Sequence, residues 1–254
     1  MEELYNKVQL NFGQKISIIL KEPKKSLIIE PICALLRLKE NGRKNLRQNR
    51  KNKRFIYLIS PNNIENKSFY TELDQVLSSK KVNFFQLRLK KESTRNKIYI
   101  GKKIKKICKK YKVKFLINDD PMLAKRVNAD GCHLGQKDMN ILKARKILKN
   151  KIIGITCHNS IKLAKKAIAG GANYLAFGAF YSSSTKKVKY KANLKILSLA
   201  KKLTNTPVVL IGGIKDTNYK KLLLNKANFL AISGYIWNNK KLKPINAIQK
   251  LNEN

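Results

Sequence analysis

Two aspartates and an asparagine follow short apolar runs in the middle of the chain. Asn118 ends one run, Asp119 comes directly after it, and Asp138 lies shortly beyond the next run. Asp120 precedes Pro121, which is the pattern of a helix N-cap, so Asp119 is left without a capping role. Carboxylates from neighbouring strand ends suit a Mg²⁺ that takes other ligands from substrate phosphate oxygens. We therefore expect Asp119 and Asp138 to be candidate Mg²⁺ ligands, with helix capping as the competing interpretation.

An alternating segment upstream carries two cations. Gln86, Arg88 and Lys90 alternate with Leu87 and Leu89, so in a strand the polar side chains share one face and the leucines share the other. Two cations near a strand end need an anionic partner, because an unpaired charge is costly to bury. A solvated strand edge is the weaker interpretation, since the leucines need burial. This segment predicts a site for an anionic substrate.

Glycines and hydroxyl groups follow three later apolar runs. Gly212–Gly213 and Ser233–Gly234 come where barrel enzymes bind phosphate on backbone N–H groups near a helix start. Residues 182–187 are three serines, a threonine and two lysines, which suit a second phosphate cradle or a mobile lid. Tight turns and an ordinary exposed loop are the competing interpretations.

The two histidines do not belong to a nucleophilic triad pattern. His133 lies within an apolar run and is expected to be structural, whereas His158 follows Thr156 at a run end, where it could contact a substrate. Cys157 is adjacent to His158, but neighbours in an extended segment point in opposite directions. We therefore expect no Cys–His nucleophile.

Eight short runs rich in β-branched and aromatic residues alternate with amphipathic stretches. The runs cover residues 55–59, 84–89, 114–118, 131–135, 151–156, 174–178, 207–213 and 229–234. They predict strands, and the stretches between them, including 94–111, 160–169, 194–203 and 216–226, predict helices. Eight strand–helix units predict an α/β fold, a closed (β/α)8 TIM barrel whose active site lies at the carboxyl ends of the strands. An open doubly wound sheet is the alternative, but no glycine-rich turn follows Ile59.

The composition is that of a soluble globular protein. The chain has 254 residues, of which 43% are hydrophobic and 28% charged, which argues against wholesale disorder. Its four cysteines form no Cys-x-x-Cys pair, so we expect neither a zinc knuckle nor a dense disulfide framework. The first residues are acidic, and Glu30 and Pro31 interrupt the most apolar early stretch, so we expect no secretory signal and no membrane span. These features predict a cytoplasmic protein with no membrane partner.

The net charge of +41 is spread along the chain, with +9 in residues 1–54 and +32 in residues 55–254. A spread charge argues against a nucleic-acid partner, but it attracts small phosphorylated anions. Residues 39–54 lack apolar periodicity and predict a solvated linker or tail. We expect a basic extension over residues 1–54, partly disordered or loosely packed, and a catalytic barrel over residues 55–254. A homo-oligomer is compatible with this organisation.

Seven motifs, taken in order, resemble those of the thiamine phosphate synthase family, also called the thiamine monophosphate synthase or TenI-like family. They read QLRLK, IND, ADGCHLGQKDM, GITCHN, FGAFYSSSTKK, VLIGGI and LAISG, and the resemblance runs from about Phe55 to Trp237. It implies a Mg²⁺-dependent barrel transferase that joins 4-amino-2-methyl-5-hydroxymethylpyrimidine diphosphate to thiazole phosphate. The products are thiamine phosphate and pyrophosphate. Members ionise the C–O bond first, and the thiazole nitrogen captures the pyrimidine carbocation, so the chemistry needs no protein nucleophile.

The resemblance also implies roles for individual residues. The pyrimidine diphosphate would be held by Gln86, Arg88, Lys90, Asn118 and Thr156, and the leaving diphosphate would be neutralised by Arg88, Lys90 and Lys186. The thiazole phosphate would be held by Ser183, Ser184, Thr185, Gly213, Ile232 and Ser233. The Mg²⁺ would be held by Asp119 and Asp138.

Three departures from the family pattern concern substrate contacts. The loop reads SSSTK where the family has proline-threonine-x-threonine-lysine, Thr156 stands where the family has a serine, and residues 231–233 read AIS where the family has valine-valine-serine. A thiazole tautomerase on the same barrel is the nearest alternative, although it needs neither a diphosphate nor a metal site. A nucleic-acid-binding protein on an inactive barrel is the alternative from another class.

Overall fold

Eight parallel strands form a closed barrel. A computed structural model describes residues 55–64, 67–182 and 189–252. The strands are β1 (Ile56–Ile59), β2 (Val82–Leu87), β3 (Lys114–Asn118), β4 (Gly131–Leu134), β5 (Ile152–His158), β6 (Tyr174–Gly178), β7 (Val208–Ile211) and β8 (Phe229–Ile232). Each strand pairs with the next, and β1 also pairs with β8, which closes the sheet. This topology confirms the predicted (β/α)8 fold.

A helix follows each strand on the outside of the barrel. The helices are α1 (Ser68–Ser78), α2 (Thr94–Lys110), α3 (Pro121–Arg126), α4 (Ile141–Leu148), α5 (Ile161–Ala169), α6 (Leu194–Leu203), α7 (Tyr219–Leu224), α8 (Gly234–Trp237) and α9 (Pro244–Gln249). The predicted N-cap of α3 is confirmed, because Asp120 accepts a hydrogen bond from the Leu123 N–H at 2.9 Å.

The strands separate two apolar cores because their side chains alternate between the two faces of the sheet. Leu87 and Leu89 belong to the outer core, between sheet and helices, as the alternation predicted. The inner core fills the barrel itself and contains Tyr57, Ile59, Phe84, Leu116, Tyr174, Ala176, Val209 and Ala231. Gln86 follows Phe84 by two residues and is therefore also directed into the barrel, where it is 3% exposed.

Several element bounds differ from the prediction, and three of the differences have a clear physical cause. Strand β2 ends at Leu87 rather than at residue 89, because the Arg88 N–H leaves the ladder and donates to the Ser60 hydroxyl at 2.9 Å. Strand β7 ends at Ile211, since Gly212 turns the chain with a φ of 109°. Helix α7 begins three residues later than expected, because Asn218 folds the preceding segment into a turn by accepting the Lys215 N–H at 2.9 Å.

The basic extension predicted over residues 1–54 lies outside the described residues, so its boundary stays an expectation. Within the described part of the chain, no helix combines the length and the apolar character needed to cross a membrane.

Candidate active site

A chain of six hydrogen-bonded side chains lies inside the barrel. Its members come from β3, β2, β1, β6, β4 and β5, and in that order they are Asn118, Gln86, Tyr57, Tyr174, His133 and Thr156. The five links are 2.5, 2.6, 2.8, 2.8 and 2.8 Å long. We call this set the buried polar chain. It connects three residues expected to hold the pyrimidine substrate: Gln86, Asn118 and Thr156.

His133 is more than a packing residue. Its ring stacks on Tyr174 with centroids 5.6 Å apart, and its two nitrogens lie 2.8 Å from the hydroxyls of Tyr174 and Thr156. Burial lowers the pKa of His133 to about 4, so the imidazole is neutral near pH 7. The sequence indicated a structural histidine but not its contact with a predicted site residue.

Asp119 and Asp138 lie close together at the carboxyl ends of β3 and β4. Asp119 adopts a φ of 67° and forms an ion pair with Lys90 at 3.1 Å. Burial by itself would raise the pKa of Asp119, but hydrogen bonds to Asp138 and Lys90 outweigh it and hold that pKa below its ordinary value. Burial and the neighbouring Asp119 raise the pKa of Asp138, even though the Gly135 N–H donates to it at 2.6 Å. The two carboxyl groups therefore interact directly.

This carboxylate pair fits a magnesium ion. Two adjacent carboxylates supply the hard oxygen ligands that Mg²⁺ prefers, and Mg²⁺ commonly takes its remaining ligands from water and substrate phosphate. Among the described residues, no group of three or more histidine, cysteine, aspartate or glutamate side chains could hold a metal. The pair of Asp119 and Asp138 could supply two of the ligands of such an ion, and substrate phosphate and water would have to supply the others.

Arg88 is held at the mouth by two residues that the sequence analysis missed. Ser60 is buried and accepts the Arg88 N–H at 2.9 Å, while the Asn62 side-chain oxygen accepts from Arg88 Nη1 at 3.0 Å. The Ser233 hydroxyl donates to the Ser60 carbonyl at 3.1 Å, which joins the ends of β8 and β1. The segment after β1 offered only polar residues as a signal, and their partners lie far away in sequence.

The segments after β7 and β8 form the region in which we expect a substrate phosphate to bind. Gly213 adopts a φ of 60°, which favours glycine, and a Cβ there would collide with the Ser182 carbonyl. The Ile232 side chain belongs to the outer core, so it is not available to a ligand. Helix α8 starts directly after Ser233, and Trp237 Nε1 donates to the Ile59 carbonyl at 2.7 Å. These segments face the same end of the barrel as Asp119 and Asp138.

The loop predicted as a phosphate cradle is described only at its ends. Ser183, Ser184, Thr185 and Lys186 lie outside the described residues. Before them, the Tyr181 N–H donates to the Gly212 carbonyl at 3.1 Å. After them, Tyr190 contacts His158 with ring centroids 4.3 Å apart. The loop therefore starts beside the end of β7 and finishes beside the end of β5.

The family model and the similar proteins point to the same family. The model of the family described as thiamine monophosphate synthase matches residues 56–236. A thiamine-phosphate synthase of Pelagibacter ubique is 72% identical over 206 residues, covering 81% of this chain and all of the relative. One from Saccharophagus degradans is 43% identical over 152 residues, covering 59% of this chain and 70% of the relative.

Solved structures show the same likeness. A thiamine phosphate pyrophosphorylase from Pyrococcus furiosus superposes with a TM-score of 0.69 and 26% identity, covering 79% of this chain and 95% of that one. A 3-hexulose-6-phosphate synthase superposes with a TM-score of 0.55 and 17% identity over 77% of this chain and 98% of that one. The second likeness shows the shared fold alone.

Proposed function

Because this chain belongs to the thiamine monophosphate synthase family and has thiamine-phosphate synthase activity, we propose that its barrel mouth performs a Mg²⁺-assisted dissociative coupling. The substrates are 4-amino-2-methyl-5-hydroxymethylpyrimidine diphosphate and thiazole phosphate, and the reaction takes place in the cytoplasm. The observation that supports this proposal most directly is the carboxylate pair beside Lys90, with Arg88 on the preceding segment.

The pyrimidine diphosphate spans two parts of the site. Its ring lies against Gln86, Asn118 and Thr156, whose side chains the buried polar chain holds in place. Its diphosphate meets Arg88 and Lys90, and Lys186 adds a third cation. The Lys90 side chain is 57% exposed, so its ammonium can be shared between Asp119 and an incoming anion.

Bond breaking comes first in this mechanism. The C–O bond to the diphosphate breaks with its electron pair on oxygen, and the thiazole nitrogen then donates its lone pair to the pyrimidine CH₂ carbocation. Fixed positive charge stabilises the leaving pyrophosphate, which is where charge develops. When bound by Asp119 and Asp138, Mg²⁺ supplies further neutralisation of that group. No step requires a protein nucleophile.

The thiazole phosphate is held opposite the diphosphate. Backbone groups of Gly213, Ile232 and Ser233 meet the phosphate near the start of α8, and Ser183, Ser184 and Thr185 contribute hydroxyls. Holding both substrates in one geometry converts a bimolecular capture into an effectively unimolecular step.

The test mixes purified full-length protein with both substrates and MgCl₂ and follows thiamine phosphate by thiochrome fluorescence. We expect product with Mg²⁺, loss of product with excess EDTA, and recovery when excess Mg²⁺ is restored. Plain and carboxylated thiazole phosphates are assayed in parallel to identify the acceptor. Absence of product from protein shown to be folded by circular dichroism contradicts the proposal and brings the tautomerase alternative forward.

A further inference from the structure

The buried polar chain donates its hydrogen bonds in a single direction. The Tyr57 hydroxyl donates to Gln86 Oε1 at 2.6 Å, and a phenol has only one proton to give. The contact between Tyr57 and Tyr174 at 2.8 Å must therefore be donated by Tyr174. Tyr174 has then used its own proton, so its contact with His133 is donated by the Nδ1–H group.

The direction of these hydrogen bonds also fixes which group donates in the contact between His133 and Thr156. A neutral imidazole carries one N–H group, so when Nδ1 bears the proton, Nε2 is an acceptor. The Thr156 hydroxyl therefore donates to His133 Nε2, and its oxygen keeps only lone pairs for a ligand. Gln136 Nε2 also donates to the Thr156 carbonyl, which fixes the backbone at this position.

At the other end of the buried polar chain, the group that faces a ligand is a donor rather than an acceptor. Gln86 Nε2 donates to Asn118 Oδ1, so the Asn118 amide offers N–H donors to a ligand. Turning over the Gln86 amide would reverse every link and move the His133 proton to Nε2. The tautomer of His133 therefore reports the direction of the whole chain.

From this direction we propose that Tyr57, Tyr174 and His133 are positioning residues that make the site specific for a 4-aminopyrimidine over a 4-oxopyrimidine. The inference rests on the proposed function, because it assumes that the pyrimidine ring lies between Asn118 and Thr156. A 4-aminopyrimidine offers an amino donor and ring-nitrogen acceptors, which match an acceptor at Thr156 and donors at Asn118. A 4-oxopyrimidine offers a carbonyl acceptor and a ring N–H donor at that edge, which reverses the pattern. Sites built from buried polar groups reject a mismatched analogue strongly.

The first measurement is independent of any ligand. The chain contains two histidines, so ¹⁵N-histidine labelling gives two ring systems, which a His158→Gln variant assigns. Long-range ¹H–¹⁵N correlation spectra distinguish the two neutral tautomers directly. We expect the Nδ1–H form for His133 in the unliganded protein. Observation of the Nε2–H form would overturn the inference.

The second measurement uses calorimetric binding of three probes: the 4-amino pyrimidine diphosphate, its 4-oxo analogue, and inorganic pyrophosphate. We expect wild type to prefer the amino compound by about 100-fold or more. Tyr174→Phe should weaken binding of the amino compound about tenfold, because it breaks the chain at its centre, while leaving pyrophosphate affinity unchanged. Equal weakening of all three probes would indicate a general structural role and contradict the inference, as would equal wild-type affinities for the two pyrimidines.

Tyr219→Phe is the matched control. Tyr219 is also buried, and its hydroxyl donates to the Asn252 carbonyl at 2.8 Å and accepts the Asn252 N–H at 2.9 Å, outside the buried polar chain. We expect its loss to change none of the three affinities. His133→Gln, which keeps one donor and one acceptor, should retain more selectivity than His133→Leu. Because these are binding measurements, failure of the inference is distinguishable from failure of the proposed function, which the turnover assay reports.

Discussion

The two ends of the barrel use polar side chains in different ways. At the amino ends of the strands, each of Asp130, Asn173 and Asn228 lies one position before an even-numbered strand and accepts an N–H group from the strand that precedes it. The accepted groups belong to Phe115, Ile153 and Val208, at 2.8, 2.8 and 2.9 Å. Each of the three side chains also accepts from a cation: Lys105, Arg145 and Lys201 respectively.

Two arginines show the contrast most clearly. At the amino end, Arg145 donates to the carbonyls of Lys149, Lys151 and Gly171 and to the Asn173 side chain. At the carboxyl end, the Arg88 guanidinium donates to the Asn62 side chain at 3.0 Å. Arg145 is committed to backbone carbonyls and stabilises the fold, whereas Arg88 keeps donors for an anionic ligand. In this molecule, hydrogen bonding to backbone carbonyls distinguishes a structural charge from a functional one.

The largest effect is expected from Asp119→Asn. Asparagine tolerates the positive φ at this position, so the fold should persist, but the loss of one carboxylate should lower kcat about 10²- to 10³-fold. Steady-state thiochrome assays measure kcat, and thermal melts show whether the fold persists. The matched control is Asp74→Asn, a carboxylate at the amino end, which should leave kcat unchanged. A collapse of the melting temperature in Asp119→Asn would assign Asp119 a structural role.

Asp130→Ala is expected to lower the stability of the fold without changing turnover. This change leaves the Phe115 N–H without its carboxylate acceptor, which should lower the free energy of unfolding by about 1–3 kcal/mol. The kcat measured well below the unfolding transition should not change. Urea denaturation and the turnover assay together test the comparison. Unchanged stability with reduced turnover would contradict the division between the two ends.

The same substitution is expected to have different effects at the two arginines. Arg88→Lys keeps the charge but loses the planar donor fork, so the KM for the pyrimidine diphosphate should rise about tenfold with stability unchanged. Arg145→Lys should instead lower the free energy of unfolding by about 1–2 kcal/mol and leave the KM unchanged. Chemical denaturation and initial-rate kinetics on both variants test this. A change in KM for Arg145→Lys, or a loss of stability for Arg88→Lys, would contradict the assignment.

The smallest effect concerns pH and Asp74. The hydrogen bond from Lys110 at 2.8 Å lowers the pKa of Asp74 below 3.8, and Tyr111 donates to the same carboxylate. Because the folded pKa lies below the unfolded one, the ionised carboxylate stabilises the fold above pH 3.8, and this stabilisation is lost as pH falls through the folded pKa. Wild type should therefore be slightly more stable than Asp74→Asn at pH 6, and the difference should shrink at lower pH. A difference that grows on acidification would contradict this assignment.

Much of the fold could be predicted because strand and helix periodicities are local properties of the sequence. Helix α6 has the bounds expected from its pattern, 194–203, and the leucines of the β2 segment face the outer core as predicted. Strand β2 ends early because of Ser60, which lies 28 residues before Arg88 in the chain. No local pattern reports a contact between residues so far apart.

The position of polar residues at predicted strand ends indicated several of the side chains that reach the mouth of the barrel, but not Ser60 or Asn62. In a closed parallel barrel, a polar residue at the end of a strand has only one end of the molecule to occupy, so Gln86, Asn118 and Asp119 converge there. The contacts that hold these groups depend on tertiary structure. Tyr57 and Tyr174 are 117 residues apart and stand in runs that predict nothing beyond buried aromatic strand residues. Their hydroxyls meet because closure brings β1 and β6 to face each other across the barrel interior, and a hydrogen bond depends on distances of tenths of an ångström that no periodicity encodes.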